Sequence, residues 1–303
     1  MGAGAVGCYF GGMLARAGHM VTLIGRAQHV EAVNREGLWL ESLKFAEFIP
    51  LRASTDVQAV RDADLVLFCV KTPDSAAAAR ELALHLKPDA ALLSLQNGVD
   101  NVARIRPHVA VLVIPSVVYV AATMTGPGRM KHGGRGELII GLEDATIGAA
   151  HQPTLAAIAA ICARAAIPCR VAENIEGDMW EKLLMNCAYN AISALGRAHY
   201  GRIAKNAPAM ATAIAAAKEV LAVAKASKVR MPDRDLIDAA IKLALMMTTA
   251  ISSTAQDIAR GKRTEIDFLN GFIVERGKTL NVATPVNQAL HALVKLLEES
   301  LDD

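Results

Sequence analysis

The chain opens MGAGAVGCYFGG, Met1 to Gly12, and within it Gly2, Gly4 and Gly7 form a G-x-G-x-x-G pattern that runs straight into a helical repeat. Directly after that helical pattern comes MVTLIG, residues 20–25, with the continuous apolar character of a strand. In this setting each glycine has a separate task. Gly2 permits a tight turn, Gly4 lets backbone approach a pyrophosphate, and Gly7 lets helix and sheet pack closely. The N–H groups of the first helical turn, those of Ala5 and Val6 among them, then face the negative charge. A plain structural turn is the alternative reading of three such glycines. One feature departs from the pattern: a strand should lead into the motif, yet only Met1 precedes Gly2. The expectation is a truncated opening strand, or native residues ahead of Met1.

Working outward, ADLVLFCV (63–70), DAALLSLQ (89–96) and AVLVIP (110–115) read as further strands apolar enough to be covered on both faces. Between them lies DSAAAARELALHL (74–86), a helical pattern that ends before Pro88. Repeated strand and helix units of this length predict a mostly parallel sheet with helices on both faces, an α/β Rossmann-type N-terminal domain. VVYVAAT (117–123), the turn at Gly126–Gly128 and GRGELIIG (134–141) suggest a small antiparallel excursion. A helix around Leu155–Ala165 and a short strand at PCRVAE (168–173) follow. Beyond about Ile175 strand-like runs nearly vanish, and alanine- and leucine-rich helical segments continue, punctuated by Pro208, Pro232, Gly261 and Pro285. The expected division is therefore residues 1–172, a dinucleotide-binding Rossmann-type domain, and residues 173–303, an all-helical domain.

Composition agrees with this and excludes several classes. With 303 residues, 20% of them charged and a net charge of +2, the chain is large enough for two cores and too weakly charged to wrap a polyanion. Basic residues are dispersed without aromatic interleaving, so no nucleic-acid partner is expected. The apolar stretches VLVIPSVVYVAATM (111–124) and LALMMTTAISSTA (243–255) are too short to span a bilayer, and no cleavable leader is visible. Five cysteines without CxxC spacing and eight histidines without HExxH point to a reducing cytoplasm and to no metal site.

Cofactor choice is read at the end of the second strand, where an acid would hold the ribose hydroxyls of NAD. Here the place belongs to Arg26, and a cation with several donors suits the 2′-phosphate of NADP instead. Lys71, in FCVKT at a strand end, can supply a second positive group. Asn97, in QNG at another strand end, can hold the nicotinamide ribose and reach the substrate, or can simply form an Asn-Gly turn.

In the helical half, WEKLLMNCAYN (180–190) sets Lys182, Asn186 and Asn190 at i, i+4 and i+8, one face of one helix. Burying even one amide without partners costs about 1 to 3 kcal/mol, so three polar groups in a leucine context make sense if they converge on a polar ligand. A solvated face is the alternative. In SSTAQDIARGKRTEIDFLNG (252–271), Ser253 reads as closing a helix, Asp257 and Asp267 as local caps or pairs, and Glu265 as a carboxylate able to keep Lys182 charged and oriented. A lysine suits hydride delivery to a ketone: it arrives protonated, polarises the carbonyl and then gives the proton as general acid.

With these residues in place, the chain resembles the 2-dehydropantoate 2-reductase (ketopantoate reductase) family over nearly its whole length. The resemblance is carried by GAGAVG at Gly2–Gly7, Lys71, QNG, GPGRMKHGGRG (126–136), WEKLLMNCAYN and SSTAQDIARGKRTEIDFLNG, in the expected order. It implies NADPH-dependent reduction of 2-dehydropantoate to (R)-pantoate, with Lys182 as general acid and Glu265 supporting it and touching substrate. Asn97, Asn186, Asn190 and Ser253 would hold cofactor or substrate, in a cleft between the two domains, and the helical domain would also serve dimerisation into a homodimer. Tyr200 stands where many members carry a further asparagine. Two other readings stay open: reduction of another branched or hydroxylated 2-oxo acid, and a dinucleotide-binding regulatory or scaffold protein without catalysis.

Overall fold

The computed structural model of the chain describes residues 1–300 and, among these, every side chain except that of Ala145. Two compact units are present, Met1–Ile175 and Glu176 onward.

The first unit runs α1 (Ala5–Arg16), β1 (Thr22–Ile24), α2 (Ala27–Glu36), β2 (Leu38–Glu41), β3 (Ala46–Ile49), β4 (Arg52–Ser54), β5 (Leu65–Phe68), α3 (Ser75–Ala83), β6 (Ala91–Ser94) and α4 (Asn101–Ile105). It continues through β7 (Leu112–Gly126), β8 (Arg129–Ile140), α5 (Ala145–Ala150), α6 (Gln152–Arg164) and β9 (Cys169–Val171). Strands β5, β6 and β7 pair in parallel, while β7 and β8 form an antiparallel hairpin; β8 also takes β2 and β9 in parallel, and β3 closes the edge beyond β2. Strands β1 and β4 form a separate parallel pair.

Strand β6 shows why a continuous apolar run is needed. Leu93 packs into the core built on α1 and α6, whereas Leu92, its neighbour, packs with Ala78, Ala79 and Leu82 of α3 and Val102 and Ile105 of α4. Both leucines are fully buried. Side chains alternate across a strand, so a sheet covered on both faces calls for apolar side chains at successive positions and admits a polar one only where it is hydrogen-bonded.

Two features differ from the sequence expectation. AVLVIP and VVYVAAT are parts of one strand, β7, and not two. Proline inside it is tolerated because Pro115 sits where the strand changes partner: β6 is paired as far as Pro115, and β8 from Ser116 onward. The Ser116 hydroxyl donates to the Ser94 carbonyl at that point, 2.5 Å away. Residues 27–54 hold one helix and three short strands that the pattern did not announce. Their apolar content is thin, since α2 buries only Val30 and Val33 and the edge strand β3 buries only Ile49.

The second unit is helical throughout. Helix α7 (Ile175–Leu195) opens it, followed by α8 (Tyr200–Lys205), α9 (Ala207–Ala226), α10 (Leu236–Met246), α11 (Ser253–Ala259), α12 (Asn270–Leu280) and α13 (Pro285–Glu299). Among the described residues α9 alone is long and apolar enough to cross a membrane by length and composition, a feature the sequence reading passed over. Here it is a packing helix. Ala213, Ala216, Ala217, Val220, Val223 and Ala224 are buried on it, and its Glu219 accepts the backbone N–H groups of Val286 and Asn287 at the start of α13 (2.8 and 2.9 Å).

Candidate active site

The glycine turn is assembled by hydrogen bonds from two strands. Gly2 N and Ala3 N donate to Ile24 O at the end of β1 (3.0 and 2.9 Å), and Cys69 N, just past β5, donates to Met1 O (2.9 Å). Gly2 has φ +87°, and a Cβ there would lie 2.7–2.8 Å from the backbone of Cys69 and Val70. A Cβ on Gly7 would lie 2.4 Å from Gly2 O. Gly4 is the opposite case: it is exposed, it is the N-cap of α1, and no atom lies within 4 Å of where its Cβ would point. Two glycines are thus demanded by the protein's own packing, while the third leaves open space at a helix N-terminus. The N–H groups of Ala5 and Val6 have no partner within the helix, because none of the first four ever does. The cradle fits a pyrophosphate group. Gly7→Ala is expected to weaken dinucleotide binding at least about tenfold, because the added methyl must displace the Gly2 carbonyl and with it the turn. A fluorescence titration giving an unchanged Kd would remove this turn from the nucleotide site.

Arg26 adjoins that cradle. A Cβ on Gly25 would touch Ala3 Cβ at 2.7 Å, so the end of β1 rests directly on the glycine turn, and Arg26 follows as the exposed N-cap of α2. Further into α2, His29 ties the β7–β8 turn to the same region. Its Nδ1 accepts from Gly128 N (2.9 Å), which leaves Nε2 facing Cys8 Sγ at 3.3 Å. Burial lowers the His29 pKa and raises the Cys8 thiol to about 12, so both groups are neutral packing partners.

Lys71 and Asn97 are brought to the same strand ends by a residue the sequence reading missed. The buried Gln96 side chain donates from Nε2 to Val70 O (2.9 Å) and Ser75 Oγ (2.7 Å), and its Oε1 accepts from Ser94 Oγ (2.9 Å). Lys71 and Asn97 each lie one residue beyond the two ends of that link. Asn97 is fixed further by Asn101, whose Nδ2 donates to its carbonyl (2.6 Å). The signal was present, since Ser94 and Gln96 are polar at alternate positions of an otherwise apolar strand.

In the helical unit, Lys182 and Asn186 are partly buried and Asn190 almost wholly so, while Leu183, Leu184 and Cys187 on the other sides of α7 are buried in its core. Glu181, next to Lys182 in sequence, is buried and engaged by Arg234. Asn190 Oδ1 accepts from the Tyr200 hydroxyl at 3.4 Å, and the Asn190 carbonyl accepts from Ser252 Oγ at 3.1 Å. Burial and the adjacent Tyr189 hold the Tyr200 pKa well above the ordinary phenol value, so it stays a donor.

Ser252 was not singled out by the sequence, and it changes the reading of Ser253. It is the N-cap of α11, accepting from Ala255 N at 3.0 Å, so Ser253 opens that helix and does not close the preceding one. A serine hydroxyl that satisfies an orphan N–H favours a helix start. Through its bond to the Asn190 carbonyl, Ser252 also ties the start of α11 to α7, and the exposed Ser253 is the next residue. Ser252→Ala is expected to lower stability by about 1 to 2 kcal/mol, read by chemical unfolding.

Glu265, half-buried, precedes a segment tied to α7 in two ways. Asn270 Nδ2 donates to Cys187 O (3.1 Å), and the Phe272 ring meets the Trp180 ring edge-on at 5.8 Å. Asn270 also reaches Asn287 Oδ1 (2.9 Å), and Asn287 Nδ2 reaches Glu219 (2.7 Å), a buried chain of amides joining α7, α12, α13 and α9. Taken by residue type, Lys182, Asn186, Asn190, Ser253 and Glu265 give the helical unit several donors and one carboxylate, the chemistry that an anionic substrate with a polarised oxygen would call for.

Comparison with known proteins adds the following. Residues 1–144 match the model of the ketopantoate reductase PanE/ApbA family, and residues 174–298 match its C-terminal counterpart. A 2-dehydropantoate 2-reductase of Pyrococcus horikoshii is 34% identical over 301 residues, covering 98% of this chain and 96% of that one. Among solved structures, the PanE/ApbA family ketopantoate reductase of Ralstonia eutropha JMP134 is similar with a TM-score of 0.92 and 48% identity, covering 100% of this chain and 98% of that one. A D-mandelate dehydrogenase solved with NADH and anilino(oxo)acetate is similar with a TM-score of 0.91 and 25% identity, at the same coverage.

Proposed function

This chain belongs to the ketopantoate reductase PanE/ApbA family and is an oxidoreductase, and from that premise we propose that it reduces the ketone of 2-dehydropantoate to (R)-pantoate with NADPH, Lys182 acting as general acid. The observation that carries the reading is the single polar face of α7, where Lys182, Asn186 and Asn190 follow one another among buried leucines.

A bound nicotinamide supplies the hydride, and the residues of the chain supply orientation and charge. Gly2, Gly4 and Gly7, with the N–H groups of Ala5 and Val6, receive the pyrophosphate. Arg26 takes the 2′-phosphate, Lys71 adds positive charge beside it, and Asn97 holds the nicotinamide-side ribose. The Lys182 ammonium polarises the ketone, stabilises the negative charge that grows on its oxygen and then transfers a proton from Nζ to it. Glu265 keeps that amine charged and oriented. Asn186, Asn190 and Ser253 orient the carboxylate and hydroxyl of the substrate without adding negative charge. The enzyme works as a homodimer in the cytoplasm, in line with the family resemblance.

One observation favours a second reading, reduction of a different 2-oxo acid. Asn190 already engages Tyr200, so part of the polar capacity of the stripe is met inside the protein, and a substrate with fewer hydroxyls would suit it. A steady-state assay of NADPH oxidation across a panel of 2-oxo acids decides between the two. The first reading expects the highest kcat/KM for 2-dehydropantoate; a larger value for a 2-oxo acid without a hydroxyl favours the second, and no turnover with any of them removes both.

A further inference from the structure

Helix α13 ends in an acid that an ordinary amphipathic helix would expose. Glu298 is only 6% exposed, and its carboxylate is committed on both sides: Oε1 accepts the backbone N–H of Thr264 at 2.6 Å, and Oε2 pairs with Lys295 Nζ at 2.7 Å. Lys295 reaches on to Asp267 Oδ2 (3.0 Å), and His291, one turn earlier on the same helix, meets Asp267 Oδ1 at 2.6 Å. Thr264 in turn accepts the Ile266 N–H on its hydroxyl (3.1 Å), while the Ile266 side chain is buried with Leu290 and Val294 of α13 and Ala191 of α7. Residues 264, 266 and 267 are therefore each fixed, and three side chains of α13 do most of the fixing. The residue enclosed by them is Glu265.

Burying a carboxylate is costly unless it is paired and hydrogen-bonded, and an apolar residue at position 298 would have served packing alone. Burial opposes ionisation of both Glu298 and Asp267, yet the hydrogen bonds they receive outweigh it and hold both pKa values below the usual carboxylate range. Both acids are thus charged at neutral pH, as the bonds to the 264–267 segment require. We infer that Glu298, with Asp267, His291 and Lys295, is a positioning network that sets the backbone of Glu265 and through it the proton-donating lysine. The inference rests on the role proposed above for Glu265. It makes Glu298 a positioning residue: it touches neither substrate nor cofactor.

The test is a double-mutant cycle in steady-state kinetics, with Glu298→Ala and Glu298→Gln made in the wild-type and in the Glu265→Gln background, and thermal unfolding followed in parallel. Glu298→Ala should lower kcat about tenfold with the KM for NADPH unchanged, because a small displacement of a catalytic group is costly to turnover. Glu298→Gln, whose amide oxygen still accepts from Thr264, should recover kcat to within about threefold of wild type. In the Glu265→Gln background the same Glu298→Ala change should alter kcat less than about twofold, since the group it positions is gone. Equal factors in both backgrounds, or full turnover in Glu298→Ala when Glu265→Gln is slow, overturn the inference alone. Full turnover in Glu265→Gln itself overturns the role given to Glu265, and the inference with it. Should Glu298→Ala fail to fold, Asp267→Asn, an exposed member of the network, carries the same cycle with an expected loss of about threefold.

Discussion

Lys182→Ala is expected to lower turnover at least about 100-fold, near 2.7 kcal/mol of transition-state stabilisation, with NADPH bound almost as tightly as before. The split follows from where the residues lie in the chain. Every group proposed to hold the nucleotide belongs to the first unit, while Lys182 stands on α7 of the second, among the leucines that bury the rest of that helix. On the proposed role, removing the amine deletes a charge needed when the ketone oxygen becomes negative and must be protonated. It leaves the glycine cradle, Arg26 and Lys71 in place. Stopped-flow and steady-state measurements with a nucleotide titration check it. Normal turnover in this variant would falsify the general-acid role, and a parallel loss of NADPH affinity would instead make Lys182 a nucleotide ligand.

Arg26→Ala is expected to weaken NADPH by about 2 kcal/mol, roughly 30-fold, and NADH far less. The guanidinium starts from the N-cap of α2, with the preceding Gly25 packed against Ala3 of the glycine turn, so its backbone is anchored next to the site it would serve. One charged, hydrogen-bonded contact to a phosphate accounts for an effect of this size. NADH has no group there, so its affinity should hardly respond. Comparable losses for the two nucleotides would take the 2′-phosphate away from Arg26, and so would a wild-type enzyme that binds NADH as well as NADPH.

Some of this was legible without coordinates. The positive φ of Gly2 and the nearness of its carbonyl to Gly7 are local, belonging to a turn of six residues whose spacing already contains them, whereas the Cys69 and Val70 backbone that also crowds Gly2 comes from a distant strand end. Strands covered on both faces announce themselves through unbroken apolar runs such as residues 65–68. The stripe on α7 is a matter of 3.6-residue geometry, and so Lys182, Asn186 and Asn190 could be placed on one face from their numbers alone. Where such regular patterning thins out, as between residues 27 and 54, the elements were missed.

What only the tertiary structure decided is which partner each polar group takes. Gln96 links residues 70, 75 and 94; Ser252 reaches Asn190, 62 positions earlier; Glu298 takes the N–H of Thr264, 34 positions earlier. Apart from the alternation of Ser94 and Gln96, these bonds leave no periodic trace, because a buried donor or acceptor takes any partner of the right chemistry at the right distance, wherever in the chain it originates. Ser253 illustrates the division: the sequence reading put a helix boundary at Ser253, but which helix it bounds depended on the hydroxyl of Ser252 meeting Ala255 N and the carbonyl of Asn190. Backbone conformation and periodic burial are properties of neighbours along the chain, so the residues themselves determined the fold class and the glycine cradle. Hydrogen-bond satisfaction is a property of neighbours in space, so the supports of Lys71, Asn97, Asn190 and Glu265 came into view only once the chain was folded.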